Sequence, residues 1–153
     1  MSEIEFIVDQ LKRSYEGEAW HGPSLTEALS GVDAKIAAAR PLPQAHNIWQ
    51  LVLHIANWNE VFLKRTNGAA LQLSPEEDFP TITDTSEKAW KAALEKLKRA
   101  HKNIESAVAK GDDAFLERRV PGKDYNFRFM LHGMVQHEAY HAGQISILKK
   151  PAK

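Results

Sequence analysis

Residues 130–148 read MLHGMVQHEAYHAGQISIL, and this stretch determines how the chain folds. Apolar residues and two histidines recur in it at alternating steps of four and three residues. Such spacing places side chains on one face of an α-helix and is typical of the buried seam of a helical bundle. The seam positions are Met130, Met134, His137, His141, Gln144 and Leu148. We therefore predict a long amphipathic helix over about Asn126–Lys149.

Three more segments show the same helical period and predict helices over about Glu3–Glu16, Ala45–Thr66 and Thr85–Lys110. Asp84 with Glu87 predicts an acidic cap at the start of the third of these. Four long amphipathic helices in 153 residues predict one domain, 1–153, of the all-α class, packed as an antiparallel four-helix bundle.

The two longer connections carry turn residues. Between Gly17 and Gln44, the run Ser24-Leu25-Thr26-Glu27 has capping-box spacing and predicts a short extra helix that ends near Gly31. Residues Ala69–Thr83 contain two prolines and are expected to form a loop. Because both connections are long, the four helices need not follow one another as simple hairpins.

The composition excludes several classes of function. Twenty Lys+Arg balance twenty Asp+Glu, so no basic surface is expected to attract nucleic acid or anionic lipid. The absence of cysteine excludes disulfides, thiolate metal sites and a cysteine nucleophile. No apolar run approaches the roughly 20 residues of a membrane span, and no signal peptide is evident, so we expect a cytoplasmic protein.

Two histidines of the last helix indicate a metal site. His137 and His141 are four residues apart, which places both imidazoles on one face of a helix. Both lie in the buried seam, and burying adjacent imidazoles without a shared partner is costly. A metal ion would supply that partner; the alternative is a pair of core histidines that are each bonded to other polar groups.

A third ligand must come from another helix. His54 is flanked at helical spacing by apolar residues and is expected to point inward, but His101 lies on the seam of the third long helix and is an equal rival. His132, His46 and His21 are expected to be peripheral or exposed. Gln144 shares a face with His141 and can assist chemistry or hydrogen-bond a ligand.

The sequence His137-Glu138-Ala139-Tyr140-His141 also matches the H-E-x-x-H pattern of zinc proteases, in which the glutamate is the general base. Such enzymes usually take a third ligand further along the chain. Only twelve residues follow His141, and none of them is His, Asp or Glu. A protease is therefore a minor alternative.

The run His137-Glu138-Ala139-Tyr140-His141-Ala142-Gly143-Gln144-Ile145, with His54-Ile55-Ala56-Asn57-Trp58 before it, resembles the DinB-like superfamily, which includes the YfiT-type thiol transferases. Trp20-His21-Gly22-Pro23-Ser24 resembles a feature of one subgroup. The resemblance implies a four-helix bundle with a long crossover connection and frequent homodimers. It also implies one divalent metal ion held by His54, His137 and His141, and so favours His54 over His101.

Three histidines leave coordination positions open, as in catalytic metal sites, and zinc or nickel suits imidazole ligands. The resemblance implies a metal-dependent transferase of a low-molecular-weight thiol acting on a small-molecule substrate. One alternative is a metal-dependent hydrolase that uses metal-bound water with help from Glu138 or Gln144. The other is a non-enzymatic, stress-related metal-binding protein.

Overall fold

The computed structural model describes residues 1–152; Lys153, the last residue of the predicted domain, lies outside them. Four long helices dominate the structure, and four short ones lie in the connections between them. The long helices are α1 (Glu3–Glu16), α4 (Ile48–Thr66), α6 (Glu87–Ala109) and α8 (Phe127–Leu148). The short helices are α2 (Leu25–Leu29), α3 (Ala34–Ala38), α5 (Pro75–Asp78) and α7 (Asp113–Leu116). The all-α class and the four long helices are thus confirmed.

Side chains that cap the helices explain where the long helices begin. The Asn47 side chain accepts a hydrogen bond from the Gln50 amide, so α4 begins at Ile48, three residues later than expected. The expected cap of α6 at Asp84 is wrong: Ser86 caps the helix by accepting from the Ala89 amide, and Asp84 instead accepts from the Ser86 amide. The expected start at Ser24 is right, since its side chain accepts from the Glu27 amide.

The helices form a ring in which α1 and α4 each pack against α6 and α8. The first turns of α4 and α6 adjoin through the rings of Trp49 and Trp90, 5.2 Å apart, and further along Lys96 donates to Asn57, so these two helices run parallel. The chain must therefore return along the whole bundle between them, and residues 67–86 form this crossover. This pair departs from a purely antiparallel bundle, and the connection between the two helices is the long crossover that the family resemblance implied.

The other neighbours complete an up-down-down-up order. Arg128, near the start of α8, binds Glu3 at the start of α1, so these helices are parallel too. Lys102 of α6 pairs with Glu16 at the end of α1, and Lys12 lies 3.9 Å from Glu105, so α1 and α6 are antiparallel. A crossover connection of this kind is known in bundles with parallel neighbours.

The core consists of two apolar clusters separated by a layer of buried polar side chains. One cluster surrounds Trp49 and Trp90 and includes the end of α8; the other surrounds Phe62 and Met134 and includes the start of α1. Five buried polar residues of the long helices lie near the positions where one cluster gives way to the other: Ser14, His54, His101, Glu138 and His141. Gln50 and Arg65 of α4 are also buried but lie nearer the two ends of that helix. The layer therefore holds four ionisable side chains near mid-height in the bundle.

None of the helices within residues 1–152 is long and apolar enough to cross a membrane. The cytoplasmic location expected from the sequence, and the absence of a nucleic-acid partner, stay predictions.

Candidate metal centre

Helices α4 and α8 bring three histidines together in the polar layer. The Nε2 atom of His137 lies 2.9 Å from Nε2 of His54 and 3.0 Å from Nε2 of His141. The ligand nitrogens of all three lie within 4.8 Å of one another, and His54 and His141 are buried. The expected spacing of His137 and His141 on one helical face is thus observed, and His54 is the third member.

Asp78 fixes the tautomer of His54. The Nδ1 atom of His54 lies 2.8 Å from Asp78 Oδ1 and 3.1 Å from the Asp78 carbonyl oxygen. Both oxygens accept hydrogen bonds, so Nδ1 carries the proton and donates it. The Nε2 atom of neutral His54 is then a lone pair that faces the other two rings.

Gln144 does the same for His141. Its Oε1 atom lies 2.5 Å from Nδ1 of His141 and accepts the Nδ1–H bond, which leaves a second Nε2 lone pair directed at the cluster. The expected role of Gln144 in catalysis stays a prediction. The structure shows its side chain in contact with His141, one of the three histidines of the cluster.

His137 lies between these two lone pairs and cannot satisfy both. With its proton on Nε2 it can donate to only one neighbour, and with its proton on Nδ1 it faces both with a third lone pair. Its Nδ1 atom is buried and has no hydrogen-bond partner among the described residues. A metal ion at roughly 2.0–2.1 Å from each nitrogen would be bound by all three lone pairs at once. The residues present therefore fit a divalent cation.

Burial keeps these imidazoles neutral. Burial, together with the neighbouring His141 and His54, lowers the pKa of His137 to about 3, and burial lowers that of His141 to about 4. Burial also lowers the pKa of His54, although Asp78 opposes this effect. Neutral imidazole is the form that binds metal ions, so the metal-free protein holds the ligands ready at neutral pH.

The crossover supplies a support that the sequence analysis missed. Asp78 ends α5, in a segment expected to be loop, and its Oδ1 also accepts from Trp58 Nε1 at 2.7 Å. The ring of Phe79 stacks on His54 with centroids 4.2 Å apart. Ser74 and Glu77 form a capping box, and this spacing was the available signal that the segment folds onto the bundle.

His101, the rival ligand, lies in a separate buried group. Its Nδ1 lies 2.9 Å from Glu138 Oε1, and its Nε2 lies 3.5 Å from Glu105 Oε2. The other Glu138 oxygen accepts a hydrogen bond from Ser14. Both oxygens of Glu138, which is fully buried, are thus engaged away from the three-histidine cluster. Its expected role as a general base stays a prediction.

The remaining histidines are peripheral, as expected. His132 pairs with Glu3 at 3.3 Å, with its side chain 40% exposed. His46 is exposed and stacks on Phe79, and His21 donates to the carbonyl of Pro23 in an exposed turn. None of the three contributes to the metal-binding group in the described part of the chain.

The family model described as the DinB superfamily matches residues 19–145, a span that begins before α2 and includes all three histidines. No curated protein and no solved structure matches the chain.

The hydrogen bond from His54 to Asp78 predicts how metal affinity responds to substitution. Asp78→Asn keeps an oxygen acceptor but removes the charge that orients the imidazole and raises its basicity. We expect it to weaken binding of the divalent ion by roughly ten- to a hundredfold, as measured by competition with a chelator. Asp84→Asn makes the same change in the same crossover, at an exposed carboxylate that accepts from the Ser86 amide and not from a histidine of the cluster, and is expected to bind metal as the wild type does. Equal affinities for the Asp78 variant and the wild type would show that the carboxylate does not support the site.

Proposed function

We propose, since the chain belongs to the DinB superfamily and carries a buried three-histidine cluster, that it is a metal-dependent enzyme that transfers a low-molecular-weight thiol to a small electrophilic molecule. The observation that carries the proposal is the convergence of the Nε2 atoms of three histidines. The Nδ1 atom of His54 faces Asp78, that of His141 faces Gln144, and that of His137 has no hydrogen-bond partner among the described residues. All the ligands are neutral, so a bound divalent ion keeps its full charge for chemistry.

The chain's own residues prepare the site. His54, His137 and His141 would hold one ion, with zinc or nickel as the metals that suit three imidazoles. Three protein ligands leave at least one position free for an exogenous group, as catalytic sites do. When bound, such an ion lowers the pKa of a thiol that binds it and so raises the fraction of nucleophilic thiolate at neutral pH. Asp78 and Gln144 keep the rings in orientation throughout.

The nucleophilic sulfur must come from a cosubstrate, because the chain has no cysteine. In the transfer, the thiol loses its proton to solvent, and its sulfur forms a bond to an electrophilic carbon of the acceptor. The bond from that carbon to its leaving group breaks, and the leaving group departs with the electron pair. No oxidant or reductant is needed.

A thiol-dependence assay tests this function. Metal-loaded protein is incubated with glutathione, cysteine, coenzyme A or bacillithiol, together with chlorodinitrobenzene or an alkyl epoxide. We expect turnover with at least one pair, and its loss both after chelation of the metal and in His54→Ala. Turnover that needs metal but no thiol would contradict the transferase and indicate a hydrolase. No turnover with any pair would contradict an enzymatic function and leave a metal-binding protein.

We also propose that two copies of the chain associate through the outer face of α8. The second half of this face bears the exposed side chains of Tyr140 and Ile147. The charged residues of α8 are Arg128, at its start, and Glu138, which is buried, so the face itself carries no charge. Helices that are apolar on both sides are usually covered, and a second copy offers the same uncharged surface.

Sedimentation analysis tests the dimer. We expect twice the mass of one chain for the wild type and for Phe6→Glu, which places a charge at an exposed apolar residue of α1. Ile147→Glu should give monomers at micromolar concentration, because two carboxylates would be buried in the interface. A monomeric wild type, or an Ile147→Glu variant that stays dimeric, would contradict this arrangement.

A further inference from the structure

A cavity of about 400 Å³ adjoins the three-histidine cluster, between α4, α8 and the crossover. His54, Asp78 and His137 form its inner end. Beyond them, its wall consists of four aromatic residues, a methionine and a glycine: Trp58, Phe62, Tyr125, Phe129, Met130 and Gly133. Small-molecule sites are typically cavities of roughly this size, lined by apolar and aromatic side chains with few polar groups.

Gly133 opens this cavity to the metal ligands. It lies four residues before His137 on α8, so a side chain at this position would occupy the same helical face, one turn from the His137 ring. A Cβ atom added to Gly133 would meet no atom within 4 Å. The glycine has no unusual backbone conformation to account for it, since it is absent from the residues with positive φ. The lack of a side chain at Gly133 leaves space beside the His137 ring.

In the metal-free protein, the charges around the cavity disfavour an anion in it. None of the described residues that line it is lysine or arginine, and its one carboxylate belongs to Asp78. Arg65 lies behind the wall, with its guanidinium 5.5 Å from the centroid of the Trp58 ring. It is almost fully buried and donates to the Leu71 carbonyl and the Tyr125 hydroxyl, so its donors are already engaged. A carboxylate or phosphate bound here would lose water and gain no cationic side chain.

The aromatic side chains provide flat apolar surfaces. The rings of Trp58 and Phe62 lie 5.7 Å apart, and those of Tyr125 and Phe129 lie 5.1 Å apart. These two pairs come from different parts of the chain, and Phe129 is 67% exposed, so the cavity can be entered from outside. Such surfaces favour an aromatic ligand, through burial of apolar area and ring stacking.

We propose that this cavity binds an uncharged aromatic group of the molecule that accepts the thiol, and that Gly133 keeps this position open to the metal ligands. The assignment of the group to the acceptor rests on the proposed transferase function. The residues around the cavity make it the specificity-determining part of the site, because they contact the substrate while the histidines hold the ion.

Binding of indole, a neutral aromatic probe, tests the cavity independently of turnover. Calorimetry is done on both metal-loaded and metal-free protein. We expect indole to bind both forms of the wild type. Indole-3-acetate, which adds a carboxylate, should bind metal-free protein at least about tenfold more weakly than indole. Equal or tighter binding of the carboxylate to metal-free protein would overturn the charge argument.

Two glycine variants locate the binding site. Gly133→Leu should weaken indole binding at least about tenfold, because the new side chain fills the cavity. Gly143→Leu is the matched control: this glycine is also in α8, also has open space at its Cβ position, and lies ten residues further along the helix, outside the cavity. It should bind indole as the wild type does.

The results of these experiments distinguish the cavity proposal from the thiol-transferase proposal. Equal indole affinities for Gly133→Leu and Gly143→Leu, or no indole binding to the wild type, would overturn the cavity proposal even if thiol transfer is observed. Indole binding that only Gly133→Leu abolishes, in a protein without thiol-dependent turnover, would establish the cavity and refute the transferase. Since leucine favours helix more than glycine does, neither variant is expected to unfold α8.

Discussion

The hydrogen bonds that His54 donates to Asp78 and His141 donates to Gln144 are the constraint on which the site depends. Each one places a proton on Nδ1 and thereby points the Nε2 lone pair into the centre of the cluster. Lone pairs that face one another inside the protein repel, and a proton on His137 Nε2 could be donated to only one of its two neighbours. The geometry of the protein groups therefore favours a cation, and it does so through neighbours of the ligands as much as through the ligands themselves.

The same polar layer contains two groups of buried histidines, and the groups differ in whether carboxyl groups face their ring nitrogens. His101 lies between two carboxyl groups: its Nδ1 atom is 2.9 Å from Glu138 Oε1, and its Nε2 atom is 3.5 Å from Glu105 Oε2. The three-histidine cluster has a carboxylate only on the far side of His54, and so its inner nitrogens have no anionic partner among the described residues. One group thus ties α6 to α8 and, through Ser14, to α1. The other is left available for a ligand. Both lie between the two apolar clusters, where electrostatic interactions are stronger than in water.

Much of this arrangement is encoded locally. The helical period predicted all four long helices, because each buries one face against its neighbours, and the spacing of His137 and His141 predicted their shared direction. The choice of His54 over His101 required the family resemblance, since both lie on apolar helical faces and periodicity cannot distinguish them. Asp78 could not be found from spacing, because its contact with His54 depends on the path of the crossover over α4. The direction of the Glu138 side chain could not be predicted from the sequence either. Glu138 directly follows His137, yet its partners lie on α1 and α6. Only the packing of the helices determines which neighbour a buried side chain contacts.

We infer that three imidazoles from two helices, α4 and α8, hold one divalent ion. The most direct measurement is the metal content per chain, by elemental analysis, of protein purified after loading with zinc or nickel and then dialysed, for the wild type and for His141→Ala. We expect one ion per chain in the wild type and close to none in His141→Ala, with the helical circular dichroism signal retained in both. A wild type that retains no ion, or a folded variant that retains as much as the wild type, would contradict it.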